Sequence, residues 1–498
     1  MNVNPITRLD YPDLDVIRVE DTYYMVSTTM HFMPGCEILQ SFDLVHWEHV
    51  TYVYETLDHT DAQQLKSGQN IYGQGMWAAS LRYHEGRFYI CFVANDTRKT
   101  YLYTSEKIDG PWKKQLIEGF YHDGSLLFDE DGRNYIVYGN DEIWITELNE
   151  DLTAPKKDGL HRLLVSDHKN PELGYEGSHI QKINGYYYIF LVHSLRDRWM
   201  RTEACFYSDS LEGEFTGGDV LCDDRGYCGQ GVAQGGIVDT PDGKWYAMLF
   251  QDSGAVGRIP ILLPVTWKDH FPVFGQNGHV PEEIEVHSTR PGYIYQPLVG
   301  SDDFCNGLLP RWQFNHDPDP RYYHLDALQG TYTITTREVC TELTQAVNTL
   351  TQRMSYPSCA AEVTVDASAL KEGDVAGLCA LQGCYAAVGI TKHHGKYEVL
   401  MLDKKEDGIL DMTEGTVVES HQMDFRLEAD FCNMKDEARC YYRVNKGDWL
   451  PIGTVHKLYF KLDHFTGCRF GLFCYAAEKT GGSACFRDFK YYDVDEIS

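Results

Sequence analysis

Short runs that alternate apolar and polar residues recur along the first 275 positions, each bounded by Gly, Asp or Asn turns. The period of two marks half-buried β-strands rather than helices. Five segments share one plan: an alternating strand, a tight turn, an aromatic-rich strand, and a third strand ending near a Trp or Phe. The first has runs at 15–19, 22–26 and 37–41 around the turn Glu20-Asp21, followed by Trp47. The second has 80–83, 88–90 and 101–105 around Glu85-Gly86, followed by Trp112. The third has 125–128, 135–138 and 143–145 around Asp131-Gly132. The fourth has 180–183, 186–192 and 204–208 around Asn184-Gly185, followed by Phe215. The fifth has 236–238, 245–248 and 259–262 around Asp242-Gly243, followed by Trp267. Units of roughly 45–65 residues fit propeller blades, whose small sheets bury one another's faces in a radial array. The expectation is a five-bladed β-propeller with the first strand of each unit lining the axis.

The repeat stops near residue 275. Residues 275–300 hold Pro281, Pro291, Pro297 and several glycines, and predict a surface linker. Beyond Asp302, strand-like runs at 332–335, 360–365, 386–390, 397–402, 425–429 and 470–473 are joined by turns, as in a β-sandwich. The predicted organisation is all-β: a propeller over residues 1–290 and a β-sandwich over 291–498.

Composition narrows the partners. The formal net charge of −30 disfavours nucleic acid and anionic membrane. A neutral small-molecule substrate fits; oligomeric state is not encoded. No apolar run reaches membrane-spanning length. The start, Met1-Asn2-Val3-Asn4-Pro5, lacks the charged and apolar regions of a leader, so the expected location is cytoplasmic. Fifteen cysteines contain no CxxC pair, and several fall inside strand-like runs. Free buried thiols are expected.

In a propeller, equivalent positions of different blades converge on the axis. Three blades carry an acid just ahead of or opening the first strand: Asp13 in Tyr11-Pro12-Asp13, Asp123 in His122-Asp123-Gly124-Ser125, and Glu176 in Tyr175-Glu176-Gly177-Ser178. Like charges held together need a reason. Glycoside hydrolysis supplies one: a protonated acid serves the leaving oxygen, an ionised one activates water, and a third tunes the donor. Clustered acids also bind Ca²⁺, which is the competing reading.

These residues resemble glycoside hydrolase family 43 along nearly the whole chain. The resemblance rests on Asn4-Pro5 with Tyr11-Pro12-Asp13, on Gly75-Met76-Trp77-Ala78, and on His122-Asp123-Gly124-Ser125-Leu126 with Phe128-Asp129-Glu130-Asp131-Gly132. Tyr175-Glu176-Gly177-Ser178-His179 and Gly257-Arg258 before Pro264-Val265-Thr266-Trp267 complete it. It implies an inverting mechanism with Asp13 as general base, Asp123 as the acid that tunes and orients the donor, and Glu176 as general acid. Trp77 and Arg258 match residues of the sugar pocket. Ser301-Asp302-Asp303-Phe304, residues 348–353 and residues 373–378 resemble the concanavalin-like jelly roll of two-domain β-xylosidases. There, a sandwich loop walls the pocket; residues 463–469 are the matching candidate. No cofactor is implied for the chemistry. Some such sandwiches hold structural Ca²⁺, for which Asp303 and Asp488 are the candidate ligands beside the reading of plain surface acids.

The chain departs from the family in three places. Ala79 stands where many relatives have Pro. Gln234 stands before Gly235-Gly236 where many have a His that touches a water or metal in the central channel. Residues 30–35, with His31 and Phe32, replace an aromatic-rich loop; these two and Gln234 are candidate sugar contacts, His31 alternatively an ordinary loop residue. The expected function is exo-acting release of terminal pentoses from plant cell-wall oligosaccharides, as β-D-xylosidase or α-L-arabinofuranosidase. The alternatives are an endo-arabinanase and a non-hydrolytic carbohydrate-binding propeller.

Overall fold

The computed structural model describes residues 2–493. Five four-stranded antiparallel sheets follow one another along the chain. Their inner strands are Asp15–Val19, Met76–His84, Ser125–Phe128, Glu176–Ile183 and Ala233–Asp239. Each inner strand touches the inner strands of the blades on either side, so the five close into a ring around one axis. Apolar side chains between successive sheets, such as Ile38, Leu81, Ile90 and Tyr101 between blades one and two, exclude water from the blade faces.

The outer strand of each blade is the one that alternation in the sequence did not disclose. Lys113–Ile117 and Thr216–Leu221 are largely exposed and bury only their last residue, so apolar and polar residues do not alternate along them. Only backbone pairing to Lys99–Ser105 and Arg201–Ser208 identifies them as strands.

The ring is clasped at its ends. Asn2–Val3 pairs with Glu283–Ile284. The buried Asn4 amide donates to the carbonyls of Leu262 (2.8 Å) and Pro281 (2.9 Å), and its oxygen accepts from the Leu262 N–H at 3.1 Å. Losing that amide would strand buried backbone groups at a cost of about 1–3 kcal/mol each. The connecting segment then runs back along blade one, where the Phe42 N–H donates to the Tyr295 hydroxyl at 2.8 Å.

The C-terminal half is two stacked antiparallel sheets. One runs, edge to edge, through Tyr323–Asp326, Thr331–Thr335, Ser483–Asp493, Ser358–Asp366, Gln422–Asp430, Glu437–Arg443 and Leu450–Lys457. The other includes Lys396–Lys404, Tyr385–His393, Asp374–Leu381, Arg469–Ala476, Leu350–Arg353 and Gln313–Asn315. Their facing side chains form one dry core that contains Leu378, Val388, Phe425 and Phe486. The cysteines are free thiols, most of them buried.

The two halves share a sheet. Phe32–Met33, from blade one, pairs with Gln313–Asn315 at the edge of the sandwich. Two sandwich arginines enter the contact: Arg469 lies 3.4 Å over the Phe32 ring, and Arg353 bonds Glu37 at 2.8 Å with its guanidinium 4.3 Å over Tyr11. These fully buried charges are tolerated because each has a carboxylate, amide or aromatic partner.

Candidate active site

Each blade departs from regular strand geometry at the same end of its inner strand. Asp13 (φ 51°) and Asp123 (φ 48°) lie just ahead of their strands in the left-handed region. Gly75 (φ 80°), Gly177 (φ 65°) and Gln234 (φ 65°) occupy the matching places in the other blades. The strand register breaks there in blades two, four and five. Bulges re-aim side chains, and non-glycine residues at positive φ carry strain that clusters at functional sites. Here the device turns the start of each inner strand toward the axis.

Asp13 is buried and held by three donors. Thr28 Oγ1 donates to its Oδ2 at 2.7 Å; Arg258 Nη1 (2.5 Å) and Gln234 Nε2 (3.2 Å) donate to its Oδ1. Arg258 is fixed in turn: its Nε donates to Asp252 Oδ1 at 3.1 Å, and Asp252 Oδ2 accepts from Arg201 Nε at 3.1 Å. Gly177 is required opposite, since a Cβ there would stand 2.7 Å from the Gln234 side chain.

Asp123 and Glu176 meet around His122. The His122 Nε2 lies 3.5 Å from Asp123 Oδ2 and 3.5 Å from Glu176 Oε2. Asp123 Oδ2 accepts the Gly177 N–H at 2.9 Å, and Glu176 Oε2 accepts from Asn140 Nδ2 at 2.8 Å. Burial, with the negative charge of Glu176 and Asp13, pushes Asp123 up to about 6 against the pull of His122. Burial opposes the imidazolium, yet Asp123 and Glu176 raise His122 to about 9. Burial also pushes Glu176 up, but the bond and charge of His122, with Arg201 and Arg258, outweigh it and hold the carboxyl below its ordinary value. The three groups therefore set one another's charge, with the His122 ring between the two carboxylates.

Among the described residues, His122, Asp123 and Glu176 are also the group whose donor atoms, all within 4.8 Å of one another, could hold a metal ion. Asp303 and Asp488 line one cavity of about 400 Å³ in the sandwich, together with Asp302 and Lys490. Asp302 there accepts from the Phe304 N–H and Trp312 Nε1, and among the described residues no further His, Cys, Asp or Glu clusters with Asp303 and Asp488, although Asn306 also lines the cavity. Asp303, Asp488 and Asn306 beside Lys490 offer fewer side-chain oxygens than the six to eight that Ca²⁺ takes.

The sandwich closes one wall. Phe465, in the predicted loop, packs on Trp77 (ring centroids 5.2 Å apart) and under Arg258 (4.1 Å). The loop is anchored by the Gly467 N–H, which donates to Asp10 Oδ2 at 2.7 Å, while Asp10 Oδ1 accepts the Arg258 N–H at 2.7 Å. A Cβ on Gly467 would stand 2.0 Å from the Val256 carbonyl, so only glycine permits this approach.

Asp13, Asp123, Glu176, Gln234, Arg258 and Trp77 are thus brought together. His31 and Phe32 are not: both are buried where the propeller meets the sandwich. His31 is ringed by Phe32, Tyr72, His316 and His464, with its Nε2 3.1 Å from Asn315 Oδ1. The loop that holds them is expected at the pocket wall because it replaces an aromatic-rich loop of the β-xylosidases that the chain resembles. Its strand pairing to Gln313–Asn315 carries it instead into the second domain. Thr28, Asn140, Asp252 and Arg201 were not singled out in the sequence, for a Thr, an Asn and a paired Arg and Asp inside strands carry no pattern of their own. His122 was visible beside Asp123, but its place between two acids depends on blade four.

Comparison with known proteins agrees with this geometry. Residues 3–272 match the model for glycosyl hydrolases family 43, and residues 301–492 match that for the β-xylosidase C-terminal concanavalin A-like domain. A β-xylosidase of Formosa agariphila is 26% identical over 99% of this chain and 89% of its own. A xylosidase/arabinosidase of Butyrivibrio fibrisolvens is 24% identical over 99% of both. A solved structure described as a bifunctional GH43-CE of Bacteroides eggerthii superposes with a TM-score of 0.91 and 42% identity over 99% of this chain, which spans 63% of that protein's length. With its propeller matched from end to end and its three acids gathered at one mouth of the axis, the chain belongs to glycosyl hydrolase family 43.

Proposed function

We propose that this protein is an exo-acting, inverting glycosidase that releases terminal pentoses, β-D-xylosyl or α-L-arabinofuranosyl, from oligosaccharides. The observation that carries it is the meeting of Asp13, His122-Asp123 and Glu176 from three blades in a site walled on one side by Phe465 of the second domain. The xylosidase and arabinosidase names of the relatives point to the same sugars.

Asp13, fixed by Thr28, Gln234 and Arg258, accepts a proton from the attacking water. Glu176 gives its proton to the leaving oxygen from the opposite side of the sugar ring. In the free protein His122 holds Glu176 ionised; entry of the sugar strips water from the carboxyl and favours its neutral form, with the proton drawn from the adjacent imidazolium. Asp123 keeps negative charge beside both groups, which opposes loss of that proton to solvent. Arg258 orients Asp13 and faces the sugar with Trp77. A wall built from the second domain favours a pocket closed at one end over the open cleft of an endo-acting arabinanase.

The test is hydrolysis of aryl β-D-xylosides, aryl α-L-arabinofuranosides and the matching oligosaccharides, with early products resolved by chromatography. Single pentoses released from the non-reducing end support the reading. Internal cleavage, or no cleavage of any pentoside, contradicts it.

A further inference from the structure

One of the three donors on Asp13 is itself set in place by a buried acid. Gln234 sits at φ 65°, in the register break between Ala233 and Gly236. A bulge takes the N–H of its extra residue out of the strand pairing, and a buried N–H without an acceptor costs about 1–3 kcal/mol. The acceptor here comes from the neighbouring blade: the Gln234 N–H donates to Glu203 Oε2 at 2.7 Å. Glu203 stands on the third strand of blade four, Arg201–Ser208, where it is paired with Val192, which is paired in turn with Glu176. From this backbone the Gln234 side chain reaches both halves of the site. Its Nε2 donates to Asp13 Oδ1 at 3.2 Å. Its Cγ packs against Gly177, whose N–H donates to Asp123 Oδ2 at 2.9 Å.

Glu203 is fully buried, and Arg201, two residues earlier on the same strand, pairs with Asp252 rather than with it. Its second oxygen, Oε1, is buried without a hydrogen-bond partner. Burial pushes the carboxyl well above the ordinary carboxylate range, opposed by the Gln234 N–H, which favours the uncharged form. Such a group adds little to a core, since an apolar side chain of similar size fills the same space without stranding a polar atom. What the apolar side chain lacks is the oxygen that takes the Gln234 N–H. A non-glycine residue at positive φ costs about 1–3 kcal/mol and persists only where its surroundings hold it there. Released from Glu203, the Gln234 backbone relaxes toward the extended region, and its side chain swings away from Asp13.

We propose that Glu203 is a positioning residue for the proposed base: by accepting the Gln234 N–H it holds that backbone in its left-handed conformation and so keeps the Gln234 amide on Asp13. The inference rests on the glycosidase reading above. The experiment measures kcat and KM on an unsubstituted pentotriose and on a dinitrophenyl pentoside, with circular dichroism beside them. Glu203→Met, which removes the acceptor, should lower kcat about tenfold with KM nearly unchanged. The loss should be equal on the two substrates, because water activation is needed whatever leaves. Glu203→Gln, whose amide oxygen accepts the same N–H, should recover most of the rate. In a Gln234→Gly background the positive φ needs no hold and no amide remains to place, so adding Glu203→Met should cost nothing further. That comparison stands even where Glu203→Met alone does not fold. Wild-type kcat in a folded Glu203→Met, a loss confined to the triose, a Glu203→Gln as slow as Glu203→Met, or additive losses in the Gln234→Gly background each overturn the inference and leave the glycosidase reading standing. Wild-type protein that hydrolyses neither substrate overturns that reading and the inference with it.

Discussion

Phe465 of the sandwich lies 4.1 Å from the guanidinium of Arg258 in the propeller, and that guanidinium is the strongest hold on Asp13. A ring on one domain thus steadies the group that orients the proposed base on the other. Such a contact is worth about 0.5–2 kcal/mol when desolvated. Phe465→Ala should lower kcat/KM about ten- to a hundredfold, since small misplacements at a reacting centre are costly. Phe465→Tyr should recover most of the rate. Equal activity in Phe465→Ala and wild type would separate the sandwich from the chemistry.

Asp123 is ionised at neutral pH at the expense of the fold. Burial raises it from 3.8 to about 6. Above pH 6 the folded carboxyl has lost a proton that it holds more tightly than the unfolded chain does. The contribution of this one carboxyl to stability therefore falls as pH rises from about 4 to about 6 and stays low beyond, opposite in sign to that of the buried histidines. The loss is on the order of 2–3 kcal/mol. Asp123→Asn should raise Tm at pH 7 while slowing turnover on oligosaccharides and shifting the alkaline limb of the rate profile. Thermal scans at pH 7 and a pH–rate profile check both halves. A lower Tm with an unchanged profile would make Asp123 a structural acid.

The domain contact should be sensitive to acid. Burial holds His464 down to about 4 and His316 down to about 3, and the two stand with His31 between propeller and sandwich. The unfolded chain takes up protons below about pH 6.5. The folded one does not until pH 3–4, so stability is intact above pH 6.5 and lost as pH falls below it. By pH 4 each histidine costs on the order of 3 kcal/mol. Tm measured from pH 7 to pH 4 should fall steeply, and His316→Gln should flatten that slope. A parallel slope in the variant would place the acid sensitivity elsewhere.

The blade plan was legible because inner and middle strands are buried on at least one face, which writes alternation into residues such as those of Asp15–Val19 and Tyr186–Ser194. The exposed outer strands of blades two and four left no such trace. The three acids were legible because a repeat maps distant residues onto equivalent places. His31 and Phe32 were expected at the site because their loop replaces an aromatic-rich loop of the resembling enzymes, and a two-residue strand paired across domains carries them into the contact with the sandwich instead. Arg201 and Asp252 could not be read, because their pairing to Arg258 exists only once blades four and five are side by side.

The assignment of Glu176 as proton donor is the claim on which the mechanism turns. A donor matters in proportion to the basicity of the leaving group. Sugars leave as strongly basic alkoxides; dinitrophenolate needs almost no proton. The measurement is the rate of Glu176→Ala on a pentotriose and on a dinitrophenyl pentoside, beside Asp13→Ala as the control that removes water activation. Glu176→Ala should lose about three orders of magnitude on the triose and far less on the aryl glycoside, within the range of general acid catalysis. Asp13→Ala should lose heavily on both. Equal losses on the two substrates in a well-folded Glu176→Ala would contradict the account and move the donor to another residue.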